Sequence, residues 1–472
     1  MRRMNSSTST EAWTAANRTL SRRQLLRDAG LGIGWLACRS LLNDLPASDP
    51  LPHFRPRAKR MIFLFMHGGP SQIDTFDYKP LLTRDHGKPL PFAKPRVQFA
   101  ETGNLLASPW RFAQHGQSGQ WASTLFPHVA STIDDLCFIK SLHGTNEAHG
   151  GALLSLHTGS DTFVRPSMGS WIHYGLGTEN KSLPGFITIC PTLGHGGVNN
   201  WSSAFLPAVH QGTPLGDASL PAHQATIEHL TNPKMSPDQQ RHQLDFLKSL
   251  NEHHRAQREP DSALEARIQS FELAFRMQAE APDWMNLDKE SEATKRLYGL
   301  GEKVTENFGR QCLMARRFAE AGVRFIQCTH SYKWDQHSAL KADHEKNAKE
   351  VDLPIAGLLK DLKCRGLLED TLVLWAGEFG RTPTAQGQDG RDHNPHGFTV
   401  WMAGGGIKGG TSFGATDDYG FYATENRVHI HDLHATILHI MGLDHERLTY
   451  RYGGRDFRLT DVHGHVVQEI LA

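Results

Sequence analysis

Apolar residues in this chain gather into five short runs of strand length, and each run breaks at a turn rich in glycine, histidine or acid. Residues 60–66 (RMIFLFM) are followed at once by His67-Gly68-Gly69-Pro70-Ser71. A continuous apolar run with such an abrupt end fits a parallel strand buried on both faces. Residues 136–139, 186–190 and 323–328 repeat the pattern, and 371–375 (TLVLW) runs into Gly377-Glu378 with Arg381 three residues on. Helical spacing appears between the runs. It predicts a helix from Ala148 to His157, another over 262–278 through Leu264, Ile268, Phe271 and Phe275, and one over 351–364 stopped by Gly366. Strands alternating with helices predict an α/β fold, a three-layer α/β/α sandwich around a mostly parallel sheet.

Composition changes this picture in two places. Residues 220–310 are charged, rich in Gln and Glu and poor in glycine, which predicts a helical insertion. Residues 75–120 and 193–218 are rich in Pro, Gly, Asn or Lys and read as loops, the second anchored by Trp201 and Phe205. Fifty basic residues cancel fifty acidic ones, so no global field draws the chain to nucleic acid or an anionic membrane. The six cysteines form no C-x-x-C pair, and Cys137, Cys190 and Cys328 sit in apolar runs as small core residues. At the amino terminus, Ser21-Arg22-Arg23-Gln24-Leu25-Leu26 resembles the twin-arginine export motif. The apolar stretch 31–42, interrupted by Arg39, is too short for a stable membrane span. We therefore expect 1–50 to be an export signal and linker, 51–472 a single domain, the twin-arginine translocase an export partner, and the location periplasmic or otherwise extracytoplasmic.

Candidate chemistry sits in the turns that follow the strands: 67–77, 145–149, 330–337 and 378–396. Carboxyl ends of parallel strands converge in space, and ligands bind there. Asp335, His337, Glu378, His393 and His396 are candidate metal ligands, since carboxylate and imidazole suit divalent cations. His393 and His396 lie in a polar, proline-broken loop where no packing demand explains them, and the others have a structural alternative. Asp335 and His337 fit a turn cap with a surface imidazole, Glu378 fits a pair with Arg381, and Ser71, Asp74 and Asp77 fit caps of the helix that follows. Residues 404–410 (GGGIKGG) lack the spacing of a phosphate loop and read as turns.

The second half resembles the alkaline phosphatase and sulfatase superfamily. WDQH (334–337), Asp352 in a helix, TLVLWAGEFG (371–380) and GRDHNPH (390–396) keep the order of that superfamily's metal-binding segments. VHIHDLHATILHIMG (428–442) is similar to its carboxyl-terminal helix pattern, and TNEAH (145–149) resembles its nucleophile segment, with Thr145 in the nucleophile's place. The chain is also identified as a member of the bacterial family called domain of unknown function 1501. That likeness covers nearly everything after residue 60 and is carried by HGGPSQIDTFDYKP, WDQH, TLVLWAGEFGRTP, GRDHNPHGFTVWMAGGGIKGG, ATDDYG and TDVHGHVVQEILA. Departures from the superfamily are specific. His67-Gly68-Gly69 stands where a metal-binding aspartate belongs, so Asp74 or Asp77 has to substitute. Glu378-Phe379 replaces an Asp-His pair, and no C-x-P-x-R sulfatase motif occurs.

Two functions follow from the resemblance. In the first, the protein is a metal-dependent hydrolase acting on a small-molecule or polysaccharide ester of phosphate or sulfate. Asp335, His337, Glu378, His393, His396 and Asp74 hold one or two divalent ions, zinc first, with manganese and calcium as alternatives. Arg381 and Arg391 clamp the anionic ester, Thr145, Ser71 or an activated water attacks, and His149 serves as acid. In the second, the fold is a catalytically silent binding module for an anionic polysaccharide. Trp201, Trp334, Trp375 and Trp401 then include the sugar platforms, with burial favoured for the last two.

Overall fold

The computed structural model of the chain describes residues 52–93, 101–228, 230–256 and 262–472. The expected export signal and Cys38 lie outside the described residues. Eleven strands matter for the site: β1 (Arg60–Met66), β2 (Leu136–His143), β3 (Phe186–Ile189), β4 (Thr213–Leu215), β5 (Phe325–His330), β6 (Thr371–Ala376), β7 (Gly380–Gln386), β8 (Gly390–Asn394), β9 (Phe398–Ala403), β10 (Thr411–Phe413) and β11 (Val428–His429). The helices needed are α1 (His149–Thr158), α2 (Met168–Leu176), α3 (Pro237–Ala256), α4 (Ser262–Met285), α5 (Glu306–Glu320), α6 (Leu340–Cys364) and α7 (Ile430–Ile440).

The main sheet runs β10-β2-β9-β6-β1-β5-β3-β4, with β11 beside β2. Every pairing in it is parallel except those made by β9, which is antiparallel to both neighbours. Side chains of a strand alternate between faces, and β1 shows the consequence. Ile62, Leu64 and Met66 join one core with Leu313 of α5 and Val351 and Leu358 of α6. Met61, Phe63 and Phe65 join the other with Leu153 of α1, Trp171 of α2 and Ile437 of α7. A strand feeding two cores must be apolar throughout, which is why 60–66 reads as an unbroken run. Each fully buried Leu or Phe there contributes about 1.5–3 kcal/mol through burial. The three-layer α/β architecture is thus present.

Several elements differ from the sequence expectation. GRDHNP is not a loop: its first five residues form β8, paired with β7 in a hairpin. The helix expected over 351–364 begins earlier, at Leu340. Helices α3 and α4 occupy the charged stretch, but Phe271 is exposed rather than packed inward. Trp201, Trp334, Trp375 and Trp401 are all buried, so none is a sugar platform. Trp375 and Trp401 stack instead on neighbouring strands, with centroids 6.1 Å apart. Cys137, Cys190 and Cys328 are buried and unpaired by disulfide, as their apolar surroundings suggested. Among the described residues no helix is long and apolar enough to cross a membrane.

Candidate metal centre

Strands β6, β1 and β5 lie side by side and parallel, with Met66 opposite His330 and Phe65 opposite Ala376. Their carboxyl ends therefore deliver Glu378, His67 and the 331–337 segment to one edge. β3 flanks β5 in the same direction and leads on to His195. β2 points the same way through the antiparallel β9 and leads to His149 at the start of α1. The β7–β8 hairpin sets His393 opposite Arg381, and its register shifts between Arg391 and His393. Such a bulge re-aims side chains. Arg391 reaches Asp74, whereas His393 reaches Asp335.

Asp335 is the centre. Its Oδ1 lies 2.9 Å from His337 Nε2 and 3.1 Å from His393 Nε2, and its Oδ2 lies 3.3 Å from His149 Nε2. Each of these imidazoles is pinned at its other nitrogen. His149 Nδ1 meets Glu378 Oε1 at 2.7 Å, His393 Nδ1 meets the Glu147 carbonyl at 2.6 Å, and His337 Nδ1 meets the Gln386 side-chain oxygen. These oxygens only accept, so Nδ1 carries the proton in each ring, as the hydrogen-bond network assigns it. Three Nε2 lone pairs then face one carboxylate. His149 Nε2 is buried and makes no hydrogen bond, although Asp335 is near.

Carboxylate Glu378 is buried and also accepts from the Gly68 amide at 3.0 and 3.1 Å. Burial pushes its pKa up, but the His149 hydrogen bond and the nearby His67 outweigh that and hold it at about 2. Asp335 behaves alike: burial raises it, and the three imidazoles close around it, with the Arg381 guanidinium bonded to it, hold it far below the usual carboxylate range. Burial lowers His67 to about 4 and lowers His195 as well. His67 Nε2 sits 3.3 Å from His195 Nδ1. Tyr332 closes the cluster from outside: its hydroxyl donates to Asp335 Oδ2 at 3.0 Å, and its ring lies 4.9, 5.4 and 4.8 Å from those of His67, His149 and His195. Burial and the adjacent carboxylate push its phenol up to about 12. Tyr332 and His195 both have positive φ, +38° and +46°. Non-glycine residues held there carry strain, and such strain clusters at functional sites. Glycine is needed one turn away. Gly68 has φ +117°, and a Cβ there would stand 2.7 Å from the backbone nitrogens of Trp334 and Asp335.

The structure brings together Asp335, His337, Glu378, His393 and His149. It does not bring the other sequence candidates to the centre. His396 packs on Tyr422, with ring centroids 5.4 Å apart, because it follows the end of β8 and points at the 417–422 turn. Asp74 is fully buried in an ion pair with Arg391 (2.7 Å) and accepts the Ser71 hydroxyl at 2.5 Å. That engagement removes Asp74 as a ligand, Ser71 as an attacking group and Arg391 as an ester clamp. Asp77 is taken by Thr416 and Lys79. Asp352 caps the 127–130 helix, accepting from the amides of His128 and Val129 at 2.9 and 2.7 Å. Thr145 lines a neighbouring cavity. Arg381 touches the centre but is fully buried and spent. It donates to the carbonyls of Gly69 (2.9 Å), Arg391 (3.1 Å), Trp334 (3.1 Å) and Gly68, and to Asp335 Oδ1 (2.6 Å). Glu378 and Arg381 are both buried. His67, His195, Tyr332 and Asp392 were missed. For His67 and His195 the available signal was an imidazole shortly beyond a buried strand.

Does this donor set fit a divalent cation? Tetrahedral ligation at about 2.0–2.1 Å places ligand atoms about 3.4 Å apart, close to the 2.9–3.3 Å found around Asp335. Ligating histidines characteristically donate their second nitrogen to a carboxylate or carbonyl, as His149 and His393 do. Charge agrees. Asp335, Glu378 and Asp392 against Arg381 leave two negative charges in a largely buried site, the complement of one divalent ion. His149, Asp335 and His393 bring one ligand atom each within 4.8 Å of one another, as do His67, His149 and His195, and His337, Asp392 and His393. The pocket above them has a volume of about 480 Å³ and is lined in part by His195, Tyr332 and Gln386.

The family model described as "Protein of unknown function (DUF1501)" matches residues 58–471. The chain belongs to that family. No curated protein matches it in sequence. Among solved structures it is similar to the lipoteichoic acid synthase LtaP from Listeria monocytogenes (8% identity, TM-score 0.35, covering 86% of this chain and 76% of that one). It is also similar to an alkaline phosphatase from the Antarctic bacterium TAB5 (9%, 0.35, 82% and 99%) and to the PsFucS1 sulfatase from Pseudoalteromonas sp. (10%, 0.35, 82% and 68%). None of these likenesses assigns a residue or an activity to this DUF1501 chain.

Proposed function

We propose that this DUF1501 protein is a metal-dependent hydrolase of phosphate or sulfate esters that works outside the cytoplasm. The observation that supports it above all is the convergence of three Nδ1-anchored imidazoles, His149, His337 and His393, on the carboxylate of Asp335. These four residues hold the cation, with zinc the first expectation for a nitrogen-rich set. A divalent ion there supplies Lewis-acid polarisation of an ester oxygen and makes water a competent nucleophile near neutral pH.

The chain's own groups do the rest. Glu378 fixes the His149 tautomer and keeps its Nε2 free of a proton. Arg381 ties the 67–69 turn to the 334–335 turn and so sets the position of Asp335. It is a positioning residue; Tyr332 at the mouth spends its proton on Asp335 Oδ2, so recognition of the anionic ester would fall to the ion that those four residues would hold. His195, half-exposed and neutral at pH 7, accepts the water's proton at a ring nitrogen. With Ser71 buried and Thr145 outside the pocket, no side-chain hydroxyl of the earlier candidates is in line to attack, so water is the nucleophile.

Aryl phosphates, aryl sulfates and bis-aryl phosphodiesters test this. The proposal expects turnover of at least one class, abolished by a chelator and restored by zinc or manganese. Absence of turnover across all three with metal-replete protein would overturn it.

A further inference from the structure

A second cavity, about 700 Å³, opens beside the metal centre and is lined in part by Thr145, Phe163, Arg165, His431, Asp461 and His463. Its volume falls within the range of about 300–1,000 Å³ typical of small-ligand sites. Thr145 lines this cavity and His149 belongs to the centre; four residues span at most about 14 Å of chain, so the two sites adjoin.

Its walls have unmet hydrogen-bonding capacity of both kinds. Nη1 of Arg165 is buried and has no partner; the guanidinium lies 4.9 Å from the Phe457 ring, and its Nη2 is 3.9 Å from Asp461. His431 Nε2 donates to the Gly159 carbonyl at 2.9 Å, which leaves Nδ1 an acceptor, and that atom is also buried without a partner. A ligand that reaches these two atoms accepts from Arg165 and donates to His431. Apolar surface stands at the lip, where Phe163 is 64% and Val462 70% exposed. The His463 ring stacks on His431 at 5.1 Å and 8°.

Two ligand classes fit poorly. A free anion faces four lining carboxylates, Asp161, Asp432, Glu446 and Asp461, against a single lining guanidinium. A metal ion finds no trio of ligand atoms here within 4.8 Å among the described residues, and His429 Nδ1 already accepts from the His431 amide. Hydroxyl groups both donate and accept, and sugar rings also carry apolar C–H faces. We infer that this cavity binds an uncharged sugar unit of a glycan, through Arg165 and His431 on its hydroxyls and Phe163 on its apolar face. That the held glycan also carries the ester cleaved at Asp335 rests on the hydrolase reading; the binding itself does not.

The experiment is calorimetric titration of the full protein with cellohexaose, xylohexaose, mannohexaose, inorganic phosphate and zinc, before and after metal removal. We expect at least one neutral oligosaccharide to bind with or without metal. Phe163→Ala and Arg165→Gln each weaken it about five-fold or more, while Asp335→Asn leaves it unchanged. No oligosaccharide binding at millimolar concentration, binding indifferent to both cavity variants, or phosphate binding lost on Arg165→Gln in place of sugar binding overturns the inference. Glycan binding without any ester turnover overturns the hydrolase reading and leaves this one standing. Ester turnover without glycan binding does the reverse.

Discussion

Replacing Arg381 by lysine separates a positioning role from an ester clamp. The guanidinium is fully buried and serves five acceptors: four carbonyls and Asp335. Lysine keeps the charge but offers one nitrogen in place of a planar fork. From that position it satisfies at most three of the five, so at least two buried acceptors lose their donor. Each such loss costs about 1–3 kcal/mol, which gives about 2–6 kcal/mol for the variant. Urea unfolding followed by tryptophan fluorescence reads this directly. The expected outcome is a lower transition midpoint together with weaker metal retention, because Asp335 loses its fixed place. A change below about 0.5 kcal/mol, the size of an ordinary surface substitution, would refute the reasoning. So would a variant of native stability that fails only in binding anionic substrate.

Other consequences are as concrete. Ser71→Ala, which removes only a hydroxyl bonded to Asp74, lowers stability by about 1–3 kcal/mol and leaves ester turnover unchanged; lost turnover in folded protein would restore Ser71 as nucleophile. Gly68→Ala places a Cβ 2.7 Å from two backbone nitrogens at φ +117°, so it expels metal even where circular dichroism shows the fold retained. Burial lowers the folded pKa of His157 to about 4 and of His344 and His434 to about 3, against an unfolded value of about 6.5. These rings are neutral when folded, so their stability is fully present above about pH 6.5 and is lost as pH falls towards their folded values. Each loses about 1.4 kcal/mol per pH unit within that window. The urea midpoint should therefore be level from pH 7 to 8 and fall steeply below 6.5; a level midpoint down to pH 5 contradicts this.

Strands that feed two cores must be largely apolar, so β1, β3 and β6 were legible in the sequence to within a few residues, and β5 through its Phe325-Ile326 start. Their parallel order was implied by the helices between them, and with it the edge where Asp335, Glu378 and His149 meet. Two things were not legible. The first was how polar residues pair off inside the protein: Asp74, Ser71, Arg391 and Arg381 look available in sequence because nothing local shows that they bury and satisfy one another across more than 300 residues. The second was β8. A glycine- and proline-bounded polar stretch reads as loop, yet it pairs with β7 because its side chains are buried by long-range contacts. Gly390 shows how closely: a Cβ there would stand 1.9 Å from the His337 carbonyl. The same pairing carries His393 into the centre and leaves His396 beyond the strand's end. His195 escaped notice because it lies in a loop with no periodicity, where only the position of the preceding strand pointed to it.

Metal content per chain is the measurement that bears most directly on the Asp335 centre. Protein grown with ample zinc and manganese, purified and analysed by mass spectrometry for metals, should carry a stoichiometric transition metal. Asp335→Asn combined with His393→Ala should lose it with the fold intact, while His396→Ala should keep it. Metal-free wild-type protein, or a metal lost with His396 and retained without Asp335 and His393, would contradict the account.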